Sequence, residues 1–374
     1  MTTRIGFVST YPPTICGLGT FTASLLSHLI ERGDVSARVI QVVDTPTQRG
    51  GSEVVGELVA SDLATIARSA GQLNAGDVAI LQHEYGVYGG TDGDQILQLL
   101  EALTVPSIVV LHTVLTAPTP HQKLVLERVV ELADAVVTMT ATARGRLAGY
   151  AVDLAKVAVI PHGAPQLRPS QAASFRSAEP TVLTWGLIGP GKGIEWGIAA
   201  MASLRVLSPT PRYLVAGQTH PKVLAREGET YRLGLSQQIQ KLGLTGSVSL
   251  DGYYRHAQAL ADLVASADVV LLPYDSTEQV TSGVLIEAVA ALKPVVATRF
   301  PHAVELLGDG AGILVPHRDP DAMAAALRTV LTHREVAAGI TRAAAASAPE
   351  LLWPAVAQRY YDLAGRLARA RVAA

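Results

Sequence analysis

Short apolar runs alternate with helix-length stretches along nearly the whole chain. In the first half the runs are residues 4–9, 37–43, 78–82, 107–111, 135–139 and 157–160. They are rich in Val and Ile and almost unbroken in apolarity. Strands of that kind are buried on both faces, as in a parallel sheet. Helix-length segments at 20–32, 93–102 and 120–133 lie between them. A βαβ rhythm of this sort predicts a doubly wound sheet. The rhythm pauses at 161–180, which holds Pro161, Pro165, Pro169 and Pro180 among Gly, Ser and Gln and reads as a linker. It then restarts. Strands are expected at 181–185, 212–216, 247–250, 269–272, 295–297 and 312–315, and helices at 194–207, 231–242, 257–265, 283–292 and 321–332. A last helix is expected over 353–371, with Tyr360, Tyr361, Leu363 and Leu367 as its apolar stripe.

The expected fold is therefore α/β, with two Rossmann-like, doubly wound parallel-sheet domains facing across a cleft. Residues 1–168 form the first domain, 169–350 the second, and 351–374 a helix returning to the first. Length agrees, because 374 residues exceed the ~250–300 at which one core stops growing. Open α/β sheets bind ligands outside the carboxyl ends of their strands. Chemistry is expected in the segments that follow strands.

Composition narrows the function classes. Hydrophobic residues make up 49% and charged residues 17%, which leaves ample core and little sign of disorder. The formal net charge is −2 with no dense Lys/Arg run, against a nucleic-acid binder. The single cysteine, Cys16, allows no internal disulfide and suits a reducing, cytoplasmic compartment. The N-terminal residues lack a signal-peptide pattern, and no apolar run reaches the ~18 residues of a membrane span. A peripheral membrane contact is left open. No pair of histidines has metal-ligand spacing, so no metal site is expected.

The strongest local signal runs from Asp275 to Ala288, after the strand 269–272. Thr281 or Ser282 can cap a helix there, and Gly283 admits close backbone approach. The free N–H groups of Ser282, Gly283 and Val284, at the positive end of the helix dipole, make an anion site. Glu287, about one turn further on, can accept hydroxyl hydrogens. The same segment also reads as an ordinary capped core helix with Glu287 on its solvated face.

A second signal is Trp185-Gly186-Leu187-Ile188-Gly189-Pro190-Gly191-Lys192-Gly193. Its glycines allow a tight loop and Lys192 offers an ammonium for a phosphate. It is neither a Walker loop nor the dinucleotide pattern G-x-G-x-x-G. A plain glycine turn with a solvated lysine is the alternative. In the first half Cys16-Gly17-Leu18-Gly19-Thr20 leads from a strand into a helix. His83-Glu84-Tyr85 and His112 stand at strand ends, where a satisfied structural role is the commoner one.

Taken together these residues resemble the family-4 retaining glycosyltransferases of GT-B fold, the glycosyl transferases group 1 type, over essentially the whole chain. In that family the loop after the first strand of the second domain reads approximately G-R-L-x-x-x-K-G. Here Gly186 to Gly193 keep the lysine as Lys192 but put Leu187 at the arginine position. The family's two glutamates, seven residues between them, correspond to Glu287 and to position 279, which is Gln279.

The resemblance implies transfer of a hexosyl group from GDP-mannose or a UDP-sugar to an acceptor hydroxyl, with retention. No metal is implied. Lys192 would hold the diphosphate and Glu287 the ribose. Gln279 and His112 would meet the donor sugar, and Gly17 and Gly19 would lie near phosphate or acceptor. His83, Glu84 and Tyr85 are acceptor candidates. Arg255 and Arg299 are the cations available to replace the missing arginine. A nucleotide-sugar epimerase on the same fold, or a nucleotide-sugar-binding protein without catalysis, remains an alternative.

Overall fold

The computed structural model describes residues 2–47, 51–60, 62–168, 170, 179–253 and 255–373. Of the expected linker, 169 and 171–178 lie outside the described residues. The chain divides into two compact units, Met1–Gly163 with Trp353–Ala374, and Ala164–Leu352.

The first unit carries seven strands: β1 (Thr3–Ser9), β2 (Val35–Val43), β3 (Val54–Val59), β4 (Val78–His83), β5 (Ser107–Leu111), β6 (Ala135–Thr138) and β7 (Val157–Val159). They form one sheet in the order β3-β2-β1-β4-β5-β6-β7, parallel throughout. The central strands are buried along their length, which explains their continuous apolar runs. The strand order reverses between β1 and β4, and a crevice opens at such a switch point. The C-terminal helix Trp353–Ala373 belongs to this unit. It adds Trp353, Val356, Ala357 and Tyr360 to a core that also holds Phe7, Phe21 and Leu25. Burying one side chain such as Val356 contributes about 1.5–3 kcal/mol.

The second unit carries β8 (Thr181–Trp185), β9 (Arg212–Ala216), β10 (Val248–Asp251), β11 (Val269–Leu272), β12 (Val295–Thr298) and β13 (Ile313–Val315). The order is β10-β9-β8-β11-β12-β13, again parallel. Its switch point lies between β8 and β11. Apolar side chains fill both faces. Ile198, Tyr213 and Leu327 pack on one, and Leu183, Ile286 and Phe300 on the other.

Three differences from the sequence reading have physical causes. β3 was not expected, because Gly56 and Glu57 interrupt its apolar run. It is an edge strand paired on one side only, where such interruption is tolerated. The helix Arg334–Leu351 was also not expected. Its buried stripe is Ile340, Ala344, Ala348 and Leu351, and alanines on every face hide that stripe from a periodicity search. The first helix begins at Gly17, three residues before its expected start, so Gly17 and Gly19 lie in its first turn rather than in a loop.

Candidate functional site

In the second unit the segments after β8 and β11 meet at the switch point. Asp275 donates its backbone N–H to the Gly191 carbonyl at 3.0 Å. Gly193 sits at φ 61°, and a Cβ there would stand 1.8 Å from the Pro273 carbonyl oxygen. Only glycine allows both the left-handed backbone and that approach. A Cβ on Gly186 would lie 3.3 Å from the Val284 side chain, so the loop also borders the first turn of the helix Gly283–Ala290.

Lys192 is partly buried in this loop, its Nζ 4.3 Å from the centroid of the Tyr274 ring. Such a cation–π contact holds an ammonium without neutralising it. Among the described residues Lys192 has no carboxylate partner. The Ser282 hydroxyl caps the neighbouring helix by accepting from Leu285 N–H at 3.3 Å. The Ser282 N–H donates to Nδ1 of the buried His302 at 2.8 Å. This corrects one part of the sequence reading. Ser282 N–H is occupied, and the amides without an acceptor among the described residues are those of Gly283 and Val284. The Thr281 hydroxyl beside them is buried and unpartnered.

Glu287 projects toward β8, not into open solvent. Its Oε2 accepts from Trp185 Nε1 at 3.1 Å. Burial pushes the carboxyl up to about 7, and the indole N–H pulls it back only in part. Gln279 folds over its own loop, its Nε2 donating to the Thr281 carbonyl at 3.1 Å, while its own carbonyl accepts from His302 N–H.

Neither cation suggested for the arginine position is tied to this loop. Arg255 pairs with Asp251 at the end of edge strand β10, and exposed Arg299 donates its backbone N–H to Val315. Arg318 is tied to it instead. Its Nε lies 3.2 Å from Asp275 Oδ2, which also accepts from Trp196 Nε1 at 3.2 Å. Nothing local in the sequence marks Arg318, because β12 and the helix Pro301–Leu307 separate it from β11.

At the first unit's switch point Gly17 is exposed, and a Cβ there would meet nothing. A Cβ on Gly19 would stand 3.4 Å from the Thr10 carbonyl oxygen. His83, the last residue of β4, is 1% exposed, and neither ring nitrogen has a partner among the described residues. Burial brings it down to about 4. Glu84 accepts from Thr113 Oγ1 at 2.5 Å and from Tyr85 N–H at 3.1 Å. Tyr85 donates to the Gln122 carbonyl at 3.3 Å, and its ring meets His83 edge-on. His112 follows β5, bonded through its backbone N–H to the His83 carbonyl at 3.1 Å. The structure thus groups His83, Glu84, Tyr85 and His112 at one sheet end, and Lys192, Gln279, Ser282, Gly283, Val284 and Glu287 at the other unit's.

Residues 179–333 match the family model described as Glycosyl transferases group 1. The chain carries a glycosyl transferases group 1 domain. The match contains the second-unit site residues, from Trp185 to Arg318. The D-inositol 3-phosphate glycosyltransferase of Segniliparus rotundus is 31% identical over 251 residues, 64% of this chain and 54% of that protein. The protein of the same name from Kineococcus radiotolerans is 30% identical over 69% of this chain and 63% of its own length. The chain thus spans little more than half the length of these curated relatives. Sucrose-phosphate synthase from Thermosynechococcus elongatus has the same fold, with a TM-score of 0.76 at 18% identity, over 98% of this chain and 100% of that one. Anabaena HepE, solved in complex with UDP-glucose, gives 0.73 at 17%, over 97% and 99%. The fold class is GT-B, two parallel sheets with helices on their faces. No helix of the described residues is long and apolar enough to cross a membrane.

Proposed function

We propose that the protein is a retaining glycosyltransferase that moves a hexosyl group from a nucleotide-diphosphate sugar to an acceptor hydroxyl. The observation that carries this reading is the meeting of Lys192, the amides of Gly283 and Val284 and the Trp185-held Glu287 at one switch point of the group 1 domain.

Breaking the bond between sugar and phosphate builds negative charge on the leaving diphosphate. Preorganised donors aimed at that charge lower the barrier. The Lys192 ammonium and the two free helix amides supply such donors, and they supply enough positive charge to make the step metal-independent. Arg318 is the second cation on this reading, taking the part of the arginine that Leu187 replaces. Glu287, when ionised, accepts from the ribose hydroxyls. The acceptor hydroxyl adds to the face the diphosphate leaves and gives its proton to the departing phosphate oxygen, so the anomeric configuration is kept. The first unit takes the acceptor, near Gly17, Gly19, Glu84 and Tyr85. UDP-glucose, seen with HepE, and GDP-mannose are the first donors to try. A cytoplasmic location accords with the lone Cys16.

The test is product analysis. The protein is incubated with α-linked UDP-sugars or GDP-mannose, EDTA, and acceptors beginning with D-inositol 3-phosphate, which the relatives' name contains. Nucleoside diphosphate release with an α-linked product by NMR supports the proposal. An inverted product, loss of transfer on chelation, or epimerised donor without any acceptor overturns it.

A further inference from the structure

The buried polar residues at the end of the first unit's sheet form a row. Ser9 of β1 pairs in register with Gln41 of β2. Val8 pairs with Leu81 of β4, which places Gln82 beside Ser9 one step on. All three side chains are 2% exposed or less, among strands otherwise built of Val, Ile and Leu. The Ser9 hydroxyl, Gln41 Oε1 and Gln82 Nε2 have no hydrogen-bond partner among the described residues. An unsatisfied buried polar group costs on the order of 1–3 kcal/mol, so such a row asks for a reason.

The reason lies in what the two glutamines hold. Gln41 Nε2 donates to the Tyr11 carbonyl at 3.2 Å, in the loop that leads to Gly17. Gln82 Oε1 lies 2.7 Å from His112 Nε2. A carboxamide oxygen can only accept. The ring nitrogen facing it must therefore carry the hydrogen, and Nδ1 is left with the lone pair. Phe21 closes the ring from the side, edge-on with centroids 5.2 Å apart. Burial, with His162 and His83 nearby, brings His112 down to about 3, so the ring is neutral in ordinary buffers.

We propose that Gln82 is a positioning residue that fixes His112 in its Nε2–H tautomer, leaving Nδ1 as an acceptor for a sugar hydroxyl. This rests on the reading that His112 takes part in transfer. It adds that the ring accepts a hydrogen bond from substrate and does not donate one. Gln82 acts through His112 and needs no substrate contact of its own.

The test is ¹⁵N NMR of the full chain labelled at histidine, with the His112 signals identified by their loss in His112→Asn. The wild type is expected to show Nε2–H and an unprotonated Nδ1. Gln82→Leu should mix the tautomers, and Gln82→Glu, which keeps an acceptor oxygen, should restore Nε2–H. In transfer assays Gln82→Leu should lower kcat on the order of 10-fold, with donor KM little changed, and Gln82→Glu should recover most of the loss. An Nδ1–H tautomer in the wild type, or identical tautomer populations in wild type and Gln82→Leu, overturns the proposal. The NMR result is readable without turnover. A protein that transfers no sugar but shows Nε2–H refutes the proposed function and leaves the Gln82–His112 geometry standing.

Discussion

Gly17 and Gly193 both stand where the first strand of a parallel sheet gives way to its first helix, and they answer to different constraints. Gly193 is required by the fold, because its φ of 61° and the Pro273 carbonyl 1.8 Å from any Cβ leave no room for a side chain. Gly17 has open space around it, and nothing in the first unit demands a glycine there. The side chains differ in the same way. The second unit gathers an ammonium without a carboxylate partner and amides without an acceptor among the described residues, and a carboxyl with a raised pKa. The first gathers histidines that burial keeps neutral. On the proposed reading the second unit's end takes the diphosphate and the first unit's the hydroxyl groups of a sugar. A shared topology supplies two crevices, and the residues after the strands decide what each can hold.

The same substitution at both glycines breaks or sharpens this contrast. Gly193→Ala should destabilise the second unit by about 2 kcal/mol or more and abolish nucleotide binding, measured by thermal melting and calorimetry. Gly17→Ala should leave Tm unchanged or slightly higher while transfer falls, since a methyl there meets ligand and not protein. A folded, nucleotide-binding Gly193→Ala protein would remove the fold constraint. Full activity in Gly17→Ala would remove Gly17 from the acceptor side.

A smaller effect is expected at Glu287. Its folded pKa of about 7 stands above the 4.5 of a free glutamate side chain. In the native state the carboxyl holds its proton to higher pH than in the unfolded chain. Its contribution to stability is therefore complete below about 4.5 and is lost as pH rises through 7. Glu287→Gln should raise stability above pH 7 by about 1 kcal/mol, the full shift being discounted for the part of the carboxyl that water reaches, with little change at pH 4. Donor KM in the wild type should rise as pH falls below 7, because a protonated carboxyl is a poorer acceptor for ribose hydroxyls, and the variant should lose that dependence. A pH-independent donor KM in the wild type would detach Glu287 from the ribose.

Most strands were legible because doubly buried strands write themselves as unbroken apolar runs, as 107–111 and 269–272 do. β3 was not, because Gly56 and Glu57 break its apolar run, and neither was the helix Arg334–Leu351, whose alanines leave little contrast between its faces. At the candidate site the glycines and Lys192 stood out locally. The partners did not. Trp185 lies 102 residues from Glu287, and His302 lies 20 from the amide of Ser282 that it occupies. Arg318 reaches Asp275 from a different strand end. Residue type and spacing can nominate a phosphate-binding helix end, but they cannot say which of its N–H groups the fold has already used.

On the proposed reading Lys192 and the adjoining helix end hold a nucleoside diphosphate. Calorimetric titration of UDP, GDP and the corresponding nucleosides into the wild type and Lys192→Ala tests it most directly. Loss of a charged donor should weaken the better diphosphate by roughly 10–100-fold, with nucleoside binding and Tm nearly unchanged. Equal diphosphate affinity in the two proteins would contradict the account.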